Sequence, residues 1–150
     1  MAGMANKYSP DNETSRRKLE SFLQRLSDRD LARRAPNGWT IGGLLVHLAF
    51  YDCRAVVLLQ RWKSNGIAAS PGDVNTVNDS LKPIANAMGP AEVRRVTVES
   101  ARAVDAEVDS LDPAFLACVE AEGTAVKLNR ALHREHHLQQ MQGMLAAGSP

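Results

Sequence analysis

From residue 41 to 63 the chain contains no proline, and it has apolar residues on nearly every side of the helix it would form. Such a helix cannot lie on a surface; other elements must surround it. Thr40 stands at the N-cap position, where a hydroxyl can accept a hydrogen bond from one of the free N–H groups of a first turn. This one segment therefore fixes the centre of the fold, and the rest of the sequence decides what packs around it.

The surroundings read as helices. Over 12 to about 34 the residues Leu19, Phe22, Leu23 and Leu26 recur at helical spacing, until Pro36-Asn37-Gly38 ends the run. Between 64 and 78, Gly66, Pro71 and Gly72 mark a long connection that crosses a bundle end or covers a site. A short helix is expected over 78–88, closed by Gly89-Pro90, and a longer one over 91–111 carrying Val93, Val96, Val104 and Val108. Asp112-Pro113 opens another short helix over 114–122, and Gly123-Thr124 precedes the last long one, over 125–147. No segment alternates with a period of two. The expected fold class is all-α: an antiparallel four-helix bundle with additional short helices. Residues 1–11, polar and containing Ser9-Pro10, read as a flexible leader, and 12–148 as a single domain.

Charge and composition narrow the partners. The 18 Lys+Arg and 17 Asp+Glu leave a net charge of +1, which excludes a clustered basic arm for nucleic acid or a polybasic membrane anchor. With 44% hydrophobic residues in 150, the chain has enough apolar surface for one core without staples. The longest apolar stretch, 41–51, is interrupted by His47 and is too short to span a bilayer, and no secretory h-region opens the chain. Cys53 and Cys118 form no CxxC, so they read as reduced, mostly buried thiols. A cytoplasmic protein, with a small-molecule substrate and a second copy of itself as partners, is the expectation.

The histidines carry the chemistry. Three of the four lie in His133-Arg134-Glu135-His136-His137, and the fourth is His47 in the central helix. His133 and His137 are an i, i+4 pair, projecting from one face about one turn apart. That face continues through Val126, Met141 and Met144, an inward-looking stripe, while His47 shares its own stripe with Leu44, Tyr51, Leu58 and Trp62. One such histidine alone reads as a core residue bonded to backbone. Three imidazoles are costly to bury unless each finds a partner, and one divalent cation satisfies all three while leaving positions open for water or substrate.

The segment from Gly38-Trp39-Thr40 to His47-Leu48, together with Asn129, His133, His137 and Gln140, resembles the DinB-like superfamily of small bacterial four-helix bundles. That superfamily includes the bacillithiol transferases and the N-terminal domain of mycothiol-dependent maleylpyruvate isomerase. The resemblance runs over most of the chain, roughly 13–147. It implies that His47, His133 and His137 hold one divalent metal ion (Zn, Ni or Fe) and that a low-molecular-weight thiol is the cosubstrate. The isomerase branch has a glutamate as the first last-helix ligand; His133 at that position places this chain with the three-histidine members.

Around these, Tyr51 lies one turn beyond His47 and Arg54 two turns beyond it, both able to line a pocket. Arg54 has two readings, contact with an anionic group of the substrate or an interhelical salt bridge. Asn129 and Gln140 stand one turn outside the histidine pair, where they can hydrogen-bond its rings. His136 lies off the pair's face, either exposed or hydrogen-bonded behind a ligand, and closure of the site by it would mark a structural metal. Trp39 reads as packing at the start of the helix. Three functions stay open: thiol-dependent S-transferase or isomerase-type chemistry first, hydrolysis by metal-bound water second, and a non-enzymatic, stress-related metal-binding bundle third.

Overall fold

The computed structural model describes residues 5–123 and 125–148, which form α1 (Ser9–Arg25), α2 (Asp28–Leu31), α3 (Ile41–Asn65), α4 (Val74–Ala87), α5 (Pro90–Asp109), α6 (Pro113–Glu122) and α7 (Ala131–Ala147). Among the described residues the only strand-like feature is an isolated bridge between Arg34 and Thr40. The chain is an all-α bundle whose four long helices are α1, α3, α5 and α7.

Cross-helix bonds fix their directions. Ser9 bonds Asp109 while Arg102 bonds Glu20, so α1 and α5 are antiparallel. His47 meets His133 while Arg54 reaches Ala125 beyond the start of α7, so α3 and α7 are antiparallel as well. Gly42 abuts Val93 and Lys63 bonds Glu107, which makes α3 and α5 parallel. Asn12 accepts from Arg134 through its carbonyl while Lys18 pairs with Glu135 and Arg33 reaches Leu145, which makes α1 and α7 parallel. The order is up, down, down, up. Parallel neighbours require the chain to travel back along the bundle between them, and the segment containing α4 does this between α3 and α5.

Thr40 caps α3 as expected, accepting from Gly43 N at 2.8 Å. By length and composition α3 is able to cross a membrane, but 67% of its most apolar window is buried against the other helices, as in a core helix. The length expectation drawn from 41–51 alone was too short, because Ala55, Val56, Leu58, Leu59 and Trp62 extend the apolar surface past the polar interruption.

The core is in two parts. Leu19, Phe22, Leu23, Leu44, Leu45, Leu48, Leu138 and Met141 form one cluster; Ala55, Leu58, Leu59, Trp62, Val104, Val108 and Val119 form the other. Between them runs a buried polar layer from four helices and the loop before α7: Asn12, Ser15, Asp52, Asp105, Arg130 and Arg134. Arg134 is fully buried at 0% exposure, its guanidinium bonding Asp105 at 2.7 and 3.1 Å, Asn12 O at 2.9 Å and Ala101 O at 3.2 Å. Arg130 donates to Asp52 at 2.8 and 3.1 Å.

Several boundaries depart from the sequence reading. The first helix opens at Ser9, and Asn6 donates to Val108 O at 2.8 Å, so the part of the expected leader that is described is bonded to the bundle. It stops at Arg25 because Leu26 turns extended, and the reciprocal Ser27–Asp30 capping box then starts α2 separately. The last long helix begins at Ala131 rather than 125. Asn12 Oδ1 takes Arg130 N and Asn129 Oδ1 takes Ala131 N, so side chains satisfy the N–H groups that a longer helix would have used. Thr124, part of the expected break, lies outside the described residues. Both Cys53 and Cys118 are exposed, contrary to the burial expected of them. Neither belongs to a core stripe of its helix.

Candidate metal centre

His47 is placed by the second turn of α3, and His133 and His137 by the first two turns of α7. The Nε2 atoms of His47 and His133 lie 3.1 Å apart, and the three histidines offer ligand atoms all within 4.8 Å of one another. A tetrahedral ion with Zn–N bonds of about 2.0–2.1 Å asks for nitrogens roughly 3.3 Å apart. One pair already has about that spacing, and the third ring's ligand atom lies within 4.8 Å of the other two.

The protonation chemistry agrees with the donor set. Burial, with a smaller contribution from the neighbouring histidines, holds His47 down to about 4 and His133 to about 3. His137 is lowered chiefly by burial, against the opposing pull of Gln140. All three rings are therefore neutral at pH 7, the form that ligates a metal. Gln140 Oε1 is 2.9 Å from His137 Nδ1, and an amide oxygen can only accept, so the ring's proton sits on Nδ1 and its Nε2 lone pair is presented to the cluster. His47 Nδ1 is buried with no hydrogen-bond partner among the described residues, and Nε2 of His47 faces Nε2 of His133. Without an ion one nitrogen of that pair must act as donor to the other. The arrangement fits a divalent cation.

The remaining expected residues fall as follows. Tyr51 packs its ring 4.9 Å from that of His47 and donates to Asn78 at 2.8 Å; burial pushes its hydroxyl pKa up. Arg54 donates to Ala125 O at 2.8 Å and to Ser70 O and Oγ at 3.3 Å, bonds to a loop instead of the salt bridge that was one of its two readings. Asn129 lines the cavity from the loop ahead of α7, with its Oδ1 engaged by Ala131 N. His136 is exposed and lies outside the converging group, its ring 4.9 Å from that of His137. Trp39 is buried, as a packing residue should be, and also sets its ring edge-on to His47 at 5.5 Å.

A cavity of about 730 Å³ opens beside His47 and His133, walled by α3, the 69–72 segment, α4 and the 125–133 segment. Sequence reasoning missed Phe50, Val77, Asn78, Lys127 and Leu132 in its lining. The signal for Phe50 was present, since it lies one turn from His47. Asn78 and Val77 come from α4, whose position follows from the crossover and from nothing local. The inward face of α7 was also misplaced: its buried residues are Ala131, Arg134, Leu138 and Met141, while His133 and His137 are half-buried and His133 alone of the two lines the cavity. Asp52, an acid among the apolar residues of the central helix, was the signal that a buried cation had to come from elsewhere.

A three-histidine group able to hold a metal ion, within an up-down-down-up helical bundle, is the class defined by this fold and geometry. Residues 12–141 match the family described as the DinB superfamily, and the chain belongs to it. No curated protein and no solved structure matches the chain.

Proposed function

We propose that the protein is a metal-dependent enzyme in which His47, His133 and His137 hold one divalent ion, Zn, Ni or Fe, and a low-molecular-weight thiol is the cosubstrate. The observation that carries this is the convergence of three neutral imidazoles, two of which, His47 and His133, line an open cavity, with His136 exposed outside the group. A closed structural site would take a fourth protein ligand; a catalytic one keeps a position for an exogenous group. When bound, a divalent ion supplies Lewis acidity, lowering the pKa of a coordinated thiol or water.

The chain's own residues do the rest. Gln140 holds the Nδ1 proton of His137 and fixes that ring's orientation. Tyr51, anchored on Asn78, packs against the His47 ring and narrows the cavity at the histidines. Phe50, Val77 and Leu132 line the cavity with apolar surface, which limits water near the reacting groups.

Elemental analysis of untagged protein purified without chelator tests the first half of this reading. About one ion per chain is expected, with loss of the ion in His133→Ala. Incubating native and chelator-stripped protein with 1-chloro-2,4-dinitrobenzene and a set of bacterial thiols tests the second half. Metal-dependent conjugation supports thiol transfer; turnover of an activated ester without thiol moves the assignment to hydrolysis. Metal-free protein whose melting is unaltered in His133→Ala ends the proposal.

A further inference from the structure

The cavity beside the histidines has two chemically distinct ends. Its lining includes Arg54, Lys127 and Arg130, and among the described lining residues none is an aspartate or glutamate. Arg130 is neutralised by its bonds to Asp52. Among the described residues Arg54 and Lys127 have no acidic partner: Arg54 donates to Ala125 O and Ser70, and Lys127 donates to Gly123 O at 2.6 Å. Neutral acceptors of this kind hold a cation in position while leaving its charge uncompensated. Arg54 lies seven residues beyond His47 on α3, which is about 10 Å along the helix axis.

The mouth of the cavity is apolar. Six large hydrophobic side chains are exposed among the described residues, and four of them, Phe50, Val74, Val77 and Leu132, line this one cavity. Leu132 is 66% exposed beside His133. Apolar side chains gathered around one concavity, with few converging charges, are the composition of a small-molecule site.

We propose that the cavity binds a small amphipathic carboxylate. Its anionic end meets Arg54 and Lys127, its apolar body lies between Phe50, Val77 and Leu132, and its far end comes to His47 and His133. That the far end is where the molecule reacts rests on the metal-dependent reading above; recognition of the anion and the apolar body does not. A carboxylate suits the cationic end because the Arg54 guanidinium, with part of its donor set committed to the loop, still presents N–H groups to a planar acceptor.

Isothermal titration with octanoate, octan-1-ol and octylamine tests the assignment, using the protein as purified and after chelator treatment. Octanoate is expected to bind one to one in both forms, roughly tenfold or more tighter than octanol, with octylamine weakest. Arg54→Gln should weaken octanoate about tenfold while leaving octanol unchanged, and Arg54→Lys, which keeps the charge but loses the planar fork, should weaken it less than Arg54→Gln. Leu132→Glu, at a site where folding is not at stake, should weaken octanoate by a similar factor. No saturable octanoate binding below about 10 mM overturns the proposal. So do equal affinities for octanoate and octanol, or affinity unmoved by both Arg54→Gln and Leu132→Glu. Chelated protein that still binds octanoate upholds this site whatever the metal analysis finds, so the two readings fail separately.

Discussion

His133 and Arg134 are neighbours in sequence with opposite surroundings: His133 faces the cavity, and Arg134 is buried completely against Asp105, Asn12 and Ala101. Bonds to residues of α1 and α5 thus immobilise the first turn of α7 from behind. Arg130, one turn earlier, is tied to Asp52 of α3, the helix that also carries His47. The polar layer therefore sets the spacing between the two helices that supply the histidines. A site needing its donor atoms held within about 0.5 Å benefits from such backing.

Removing one partner of this layer should be severe. Arg134→Ala takes the two-pronged partner from Asp105 and leaves it Arg16 alone at 3.0 Å, and a loss of about 3 kcal/mol in unfolding free energy is expected. Arg134→Met with Asp105→Leu, which removes both charges, should recover much of that loss. Urea denaturation of the three proteins measures it; an Arg134→Ala cost under about 1 kcal/mol would contradict the role given to the layer.

The helical class was legible because its signals are local. Thr40 with the apolar run behind it gives α3 without reference to any other element, and the His133–His137 spacing gives two donors on one turn-separated face. The stop at Leu26 was not legible, since Leu26 continues the apolar spacing and only the Ser27–Asp30 cap interrupts it. Nor was the burial of Arg134, which depends on acids at positions 52 and 105 that meet it only in the folded bundle. An arginine between two histidines reads as solvent-facing until its counter-ions are known. The cavity's far wall was hidden for the same reason, because α4 reaches it through a connection whose path no periodicity encodes.

Gln140 should act on the metal through His137. Replacing it by leucine removes the acceptor that orients the imidazole, and zinc affinity is expected to fall about 10- to 100-fold. Competition with a chromophoric chelator reads the affinity, while denaturation of the metal-free variant should show little change. Unaltered zinc affinity would mean that the ring's orientation is set by other contacts.

Metal-free protein should lose stability as pH falls. His47 and His133 titrate at about 4 and about 3 in the fold against 6.5 for a free imidazole, and His137 is also lowered. The unfolded chain therefore takes up protons first: the neutral histidines cost nothing above pH 6.5, and stability drops progressively below it towards the folded values. By about pH 5 the loss is about 1–2 kcal/mol for each ring that stays neutral in the fold. Denaturant titrations across this range should show the slope in wild type and a shallower one in His133→Phe; equal slopes would contradict it.

Gly43 tests how closely α3 and α4 approach. On helix propensity alone, Gly43→Ala should stabilise α3 by about 0.8–1 kcal/mol. A Cβ at this position, however, would overlap Asn86 Oδ1, the same atom that accepts from Thr40 N and Oγ1 at the start of α3. Asn86 cannot retreat without losing both bonds, so overpacking of about 1–3 kcal/mol should win and the variant should be less stable. Asn86→Ala in the Gly43→Ala background removes the overlap and should make the added methyl favourable relative to Asn86→Ala alone. A double-mutant cycle by urea denaturation gives the sign directly, and a stabilising Gly43→Ala single variant would show that the two helices are free to separate there.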